Sequence, residues 1–126
     1  MRAIDTNVVV RLVMRDDARQ LLKAEAFIDN GIWISHLVLA EAVRVLSSVF
    51  SLGDRQLADA LEMLLSNHRV AIQDSEVVSA ALAHYRKRPA LGFTDCMVLA
   101  IARKNGHLPL GTFDRTLAKL DGAQAL

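Results

Sequence analysis

The stretch RAIDTNVVV, residues 2–10, contains the change of pattern that decides the fold. Residues 2–5 are a short run that ends on an acid and predicts a strand, whereas apolar side chains recur at helical spacing from Val8 to Val13. A strand that passes directly into a helix is the first half of a βαβ unit. Asp5 then lies at the carboxyl end of the strand, where open α/β sheets bind their ligands.

The same alternation of short apolar runs and helical patterns continues along the chain. Further strands are predicted at residues 32–34, 70–72 and 109–113, and further helices at about 17–28, 37–49, 57–65, 75–86, 94–105 and 115–120, with Thr94 as an N-cap. Because nearly every strand candidate is followed by a helix, the strands should be parallel and their carboxyl ends should share one edge. The chain is predicted to form one α/β domain over residues 1–126.

Composition limits the possible settings of this domain. Fifteen basic and fourteen acidic side chains leave a net charge of +1, which argues neither for nor against a nucleic-acid partner. The single cysteine, Cys96, cannot form an internal disulfide and fits a reducing compartment, so a cytoplasmic location is expected. No secretory signal and no apolar stretch of about 18 residues are present, so no membrane association is predicted.

Four acids stand where a parallel sheet would gather them: Asp5, Glu41, Asp95 and Asp114. Carboxylates held close together repel one another unless a divalent cation neutralises the cluster. Hard oxygen ligands, without a histidine or thiolate cluster, favour Mg²⁺ or Mn²⁺ over zinc. If the four converge, the protein is a metal-dependent enzyme.

Each acid also has a simpler interpretation, and spacing alone does not decide between the two. Asp5 and Asp114 could be N-caps or turn formers. Asp95 could complement a helix dipole, and Glu41 could pair with Arg44 three residues later.

Other side chains are assigned more briefly. The histidines show no metal or nucleophile spacing and are interpreted as surface or capping residues, and Cys96 as a packed residue. Trp33 and the phenylalanines are interpreted as core. Basic side chains could contact a phosphate backbone, although a charge run is equally typical of a solvated helix end; the candidates are Arg11, Arg15, Arg44, Arg86, Lys87 and Arg88.

Taken together, four segments resemble the PIN domain, and more narrowly a VapC-type toxin. They are Ile4-Asp5-Thr6-Asn7, Leu39-Ala40-Glu41, Gly92-Phe93-Thr94-Asp95 and Gly111-Thr112-Phe113-Asp114. The resemblance covers essentially the whole chain, and it implies a three-layer α/β/α fold with a small central parallel sheet flanked by helices. It also implies that the four acids bind Mg²⁺ or Mn²⁺, with Thr6, Asn7 and Thr112 in support. Asp114 matches the family position whose role varies most, so direct ligation and action through water both stay open.

The resemblance further implies a function and partners. VapC-like toxins are endoribonucleases that cut transfer or ribosomal RNA, form homodimers and are inhibited by a VapB-like antitoxin. DNA would then be bound only indirectly, through the antitoxin.

Two rival classes remain at this point. A metal-dependent phosphatase or phosphoacceptor domain also places an aspartate after its first strand, but Asp5-Thr6-Asn7 lacks the second nearby acid of such a phosphatase. A non-catalytic PIN-like binding module would be expected to lack one of the acids.

Overall fold

Residues 1–75 fold around a three-stranded parallel sheet. The computed structural model describes residues 1–126, and the chain divides into two units, residues 1–75 and residues 76–126. The elements of the first unit are β1 (Arg2–Ala3), α1 (Thr6–Met14), α2 (Ala18–Ile28), β2 (Ile32–Ile34), α3 (His36–Ser48), α4 (Asp54–Ser66) and β3 (Val70–Ile72). The strands lie in the order β1-β2-β3, and both neighbouring pairs are parallel. The predicted elements of this unit are confirmed, with bounds that differ by a few residues.

Side-chain capping determines where three of these helices begin. Asp5 Oδ1 accepts a hydrogen bond from the Val8 N–H at 3.2 Å, Asp17 Oδ1 caps α2, and Ser35 Oγ caps α3. Each cap satisfies one of the helix's otherwise unpaired N–H groups. Helix α1 therefore starts directly after the first strand and packs against both α2 and α3.

The central strand β2 separates the core from an exposed face. Ile32 and Ile34 are fully buried, whereas Trp33 is 37% exposed. Successive side chains of a strand point to opposite faces, so only one face of β2 lies in the core. The interpretation of Trp33 as a core residue is wrong for this reason.

Residues 76–126 contain two helices and a two-stranded sheet. The elements are α5 (Ser75–Lys87, whose first residue belongs to the first unit), a 3-10 helix (Pro89–Leu91), α6 (Phe93–Lys104), β4 (Leu110–Thr112), a second 3-10 helix (Leu117–Lys119) and β5 (Ala123–Ala125). β4 and β5 are parallel. The rings of Tyr85 and Phe93, both buried, pack edge to face with their centroids 6.1 Å apart.

The structure corrects two expectations in this second unit. Helix α6 begins at Phe93 with Gly92 as its N-cap, because Gly92 adopts a φ of 77° and turns the chain into the helix before Thr94 is reached. The predicted helix over residues 115–120 is only a 3-10 turn. The strand β5 that follows it was not expected, and it forms because Gly122, at a φ of 90°, redirects the chain alongside β4.

The α/β class with a small parallel sheet is confirmed. Six α-helices accompany the strands. None of the helices combines the length and the apolar character that crossing a membrane requires.

Candidate functional site

Asp5 lies at the carboxyl end of the first strand region, as predicted, and it is also the N-cap of α1. Its Oδ1 accepts the Val8 N–H, and its Oδ2 accepts no hydrogen bond from the protein. The simpler interpretation of Asp5 as a cap is therefore confirmed. The second oxygen stays exposed and available to a ligand, so the cap and a metal role are compatible.

Glu41 is engaged by its neighbour on α3. Arg44 Nε donates to Glu41 Oε2 at 3.1 Å, and Arg44 Nη2 donates to Oε1, so both carboxylate oxygens are occupied. The hydrogen bond from Arg44 lowers the pKa of Glu41 below its ordinary value. The pairing expected as the simpler interpretation is present, and it keeps Glu41 ionised.

Asp114 is held in a fixed orientation by the loop after β4. Its Oδ1 accepts the N–H groups of Thr116 at 2.8 Å and Leu117 at 2.9 Å, while its own N–H donates to Thr112 Oγ1 at 3.0 Å. Asp114 is therefore a turn former, as its simpler interpretation has it. Thr112 contacts this aspartate directly, and its supporting role in the site stays a prediction.

Asp95 lies in the first turn of α6 and interacts with Asp114. Burial raises the pKa of Asp95, and the negative charge of Asp114 raises it further. The Asp95 carboxylate accepts no hydrogen bond from the protein, so no donor offsets this repulsion. The second unit thus brings two of the four predicted acids close enough for the charge of Asp114 to act on Asp95, as carboxylates of a divalent-cation site do in the absence of the cation.

The four acids are divided between the two units. Asp5 and Glu41 lie in residues 1–75, at the N-cap of α1 and on the adjacent helix α3, and Asp95 and Asp114 lie in residues 76–126. Within either unit, no group of three or more histidine, cysteine, aspartate or glutamate side chains could hold a metal ion. Convergence of all four acids therefore stays a prediction.

Thr6 and Asn7, predicted to support the site, are the first two residues of α1. Asn7 is exposed and lines the same cavity as Asp5, and its side-chain amide makes no hydrogen bond within the protein. Thr6 is half-buried.

Three of the candidate RNA-binding residues on α1 and α3, or directly after α1, form ion pairs with acids. Arg11 contacts Asp16 at 2.8 Å, Arg15 contacts Glu25 at 3.0 Å, and Arg44 contacts Glu41. Arg86 and Lys87 lie in the last turn of α5, with Arg88 directly after it, and all three side chains are exposed. A role in binding RNA stays a prediction for the whole set.

The burial of two kinds of side chain decides two further interpretations, that of Cys96 as a packed residue and that of the phenylalanines as core. Cys96 is buried, and burial together with the charge of Asp95 raises its pKa to about 11, so its interpretation as a packed residue is confirmed. Phe27 on α2 is 36% exposed, and Phe113, directly before Asp114, is 84% exposed, so the interpretation of these two phenylalanines as core residues is wrong. Phe113 follows strand β4 directly, at the start of a loop.

One feature of the first unit was not expected from the sequence. A cavity of about 610 Å³ lies between α1 and α2 beside Asp5. It is lined by Gln20, Lys23, Ala24 and Phe27 from α2, and by Asn7, Val8 and Arg11 from α1. The recurrence of the α2 residues at positions i, i+3, i+4 and i+7 is the signal that could have revealed this shared face.

The sequence matches the PIN domain family over residues 3–123, and the chain belongs to this family. PIN domains are generally nucleases and typically use divalent metal ions, so the fold is of a nuclease type. No curated protein matches the chain.

Proposed function

We propose that the protein is an endoribonuclease dependent on Mg²⁺ or Mn²⁺ and the toxin of a VapBC-like toxin-antitoxin pair. The observation that carries this proposal is the interaction between Asp95 and Asp114. Burial, and after it the negative charge of Asp114, raise the pKa of the Asp95 carboxylate, which accepts no hydrogen bond from the protein. A divalent cation would remove the repulsion between the two acids. The family match spans both pairs of acids.

The donor set fits the proposed ion. Asp5 Oδ2, Asp114 Oδ2 and both oxygens of Asp95 lack protein partners, and hard oxygen donors of this kind suit Mg²⁺ and Mn²⁺. Once bound, the ion would polarise a phosphodiester and lower the pKa of a water molecule. In this proposal Asp5 and Asp95 anchor the ion. Asp114, which its turn holds in one orientation, contacts the ion directly or through a water molecule.

The contact with Arg44 narrows the role that we propose for Glu41. A carboxylate whose pKa is lowered is a weaker base, so Glu41 is better suited to positioning the attacking water than to deprotonating it. Arg44 holds Glu41 in one orientation on α3 and adds a positive charge beside it. Thr112 keeps Asp114 in place through its hydroxyl group.

The experiment is a cleavage assay on transfer and ribosomal RNA with Mg²⁺ or Mn²⁺, and with EDTA as the metal-free arm. Asp5→Asn is the test variant, because asparagine keeps the N-cap of α1 and removes only the charge. Asp29→Asn, at an exposed carboxylate on the C-cap of α2, is the control. We expect cleavage to need metal and to fall about 100-fold in Asp5→Asn alone, a typical loss for removal of a catalytic group.

Cleavage by Asp5→Asn at the parental rate would contradict the assignment of the acids. Hydrolysis of a small phosphoester without any cleavage of RNA would favour the phosphatase class instead. The same assay therefore separates the two classes of enzyme.

The proposed partners need separate tests. A homodimer predicts that size-exclusion chromatography at micromolar concentration gives twice the mass of 13.8 kDa, and a clean monomer would contradict it. An antitoxin predicts that a short reading frame next to the gene, when co-expressed, relieves growth arrest caused by this chain. Growth arrest that is unchanged by co-expression would contradict that pairing.

A further inference from the structure

The cavity between α1 and α2 has the size and lining of a small-molecule site. Its volume of about 610 Å³ lies within the range of ligand pockets, roughly 300–1,000 Å³. Its lining is mainly apolar, with contributions from Val8, Ala24 and Phe27. Because Asp5 lies at its edge, the cavity adjoins the candidate catalytic acid.

Polar groups without protein partners project from both helices that border the cavity. Lys23 forms neither an ion pair nor a hydrogen bond, and the side-chain amides of Asn7 and Gln20 form no hydrogen bond. Arg11 also lines the cavity, but its charge is balanced by Asp16 at 2.8 Å. The uncompensated positive charge of the lining is therefore that of Lys23.

The aromatic side chain of the cavity is held in place from outside it. The guanidinium of Arg2 lies 3.8 Å from the centroid of the Phe27 ring, and Arg2 Nη2 donates to the Phe27 carbonyl oxygen at 3.0 Å. Arg2 does not line the cavity, so Phe27 meets the cavity with the remaining surface of its ring. A restrained ring loses little entropy when a flat ligand packs on it.

We propose that this cavity binds one nucleotide of the RNA strand beside the position that is cut. The base packs on Phe27 and the apolar wall, Asn7 and Gln20 hydrogen-bond its polar edge, and Lys23 binds a phosphate. A nucleotide fits because it carries a flat aromatic base and an anionic phosphate together. The assignment to RNA rests on the proposed nuclease function.

The binding experiment needs no catalysis, so it tests this site separately from the nuclease proposal. Metal-free protein, kept in EDTA, is titrated with a dinucleoside monophosphate and with uridine or adenosine monophosphate while amide NMR shifts are followed. We expect saturable binding, with the largest shifts in residues 7–11 and 20–27. Lys23→Ala should weaken binding about tenfold, the loss of one charge-assisted hydrogen bond. Lys23→Arg should restore most of it.

Arg19→Ala is the matched control, because Arg19 is an exposed, unpaired cation on the same helix that does not line the cavity. An equal loss in Arg19→Ala and Lys23→Ala would overturn the proposal, since it would indicate only general charge attraction. No saturation at millimolar nucleotide, or equally tight binding of inorganic phosphate alone, would also overturn it.

Cleavage kinetics then connect the cavity to the reaction. In Mg²⁺ or Mn²⁺, Lys23→Ala should raise the KM for RNA several-fold and leave kcat close to the parental value. A fall in kcat with unchanged KM would contradict a binding role. If the parent binds nucleotides in the cavity but cleaves no RNA, the nuclease proposal fails while the nucleotide site stands.

Discussion

The acids of residues 1–75 and those of residues 76–126 are stabilised in different ways. Asp5 is held by a helix N-terminus and Glu41 by the guanidinium of Arg44, so each acid of the first unit has its own source of positive potential. In the second unit, Asp95 has no such partner, and burial, followed by the charge of Asp114, raises its pKa. Protein groups thus stabilise Asp5 and Glu41, and two backbone N–H groups do the same for Asp114, whereas Asp95 would gain most from an external cation.

The largest effect that follows from this contrast is on activity. Asp95→Asn should lower RNA cleavage in Mg²⁺ or Mn²⁺ about 100-fold or more, because it removes the acid that depends most on the ion. Asp114→Asn should cost less, about tenfold, because asparagine can still accept hydrogen bonds from the Thr116 and Leu117 N–H groups. Single-turnover cleavage measures both variants, and a greater loss in Asp114→Asn would reverse the assigned roles.

The pH dependence of stability tests the environment of Asp95 without an activity assay. The pKa of Asp95 is raised in the folded protein, so the metal-free folded state holds this proton more tightly than the unfolded state does. The contribution of Asp95 to the free energy of unfolding is thus greatest below its ordinary pKa. It falls as the pH rises through the raised value.

Urea unfolding in EDTA between pH 3 and pH 7 would measure this dependence. Asp95→Asn should flatten it and be more stable than the parent at pH 7 without metal, and Mn²⁺ should stabilise the parent more than the variant. Identical pH profiles for the two proteins would contradict the raised pKa of Asp95.

A smaller effect, on stability, separates the role of Asp5 as the N-cap of α1 from its role in RNA cleavage. Asp5→Ala should lower the free energy of unfolding by about 1 kcal/mol through loss of the α1 N-cap, whereas Asp5→Asn should change it by only a few tenths. Both variants should lose RNA cleavage to a similar extent. Equal stability of the two variants would mean that the hydrogen bond to the Val8 N–H contributes nothing measurable.

The smallest expected effect concerns Arg44. Its ion pair with Glu41 is exposed to solvent, so Arg44→Gln should leave the melting temperature almost unchanged. The pKa of Glu41 should return towards its ordinary value, which NMR titration of the glutamate carboxyl carbons would detect. A large loss of stability in Arg44→Gln would show that the pair has a structural role beyond this local contact.

The sequence predicts the regular elements well because their patterns are local. The apolar spacing of α1 and the cap at Asp5 depend on residues a few positions apart, and both are confirmed. Exposure is not local, so the pattern could not distinguish Phe93, which is buried, from Phe113, which is exposed. The strand β5 was missed because its short segment, Ala123–Ala125, carries no strand pattern and is defined by pairing with β4.

The candidate site was predictable only in part for the same reason. The sequence supplied four candidate acids, but spacing did not reveal which of them have local partners and which do not. Nor could it reveal the cavity between α1 and α2, because a cavity depends on how two helix faces meet.

The buried thiol of Cys96 can be used to measure local opening of the structure around it. It is the only cysteine of the chain, it neighbours Asp95 on α6, and its pKa of about 11 keeps it protonated in neutral solution. A thiol reagent can modify it only when the surrounding structure opens, so the labelling rate counts those openings. Slower labelling after addition of Mn²⁺ would reveal how strongly an ion tightens the segment that carries Asp95.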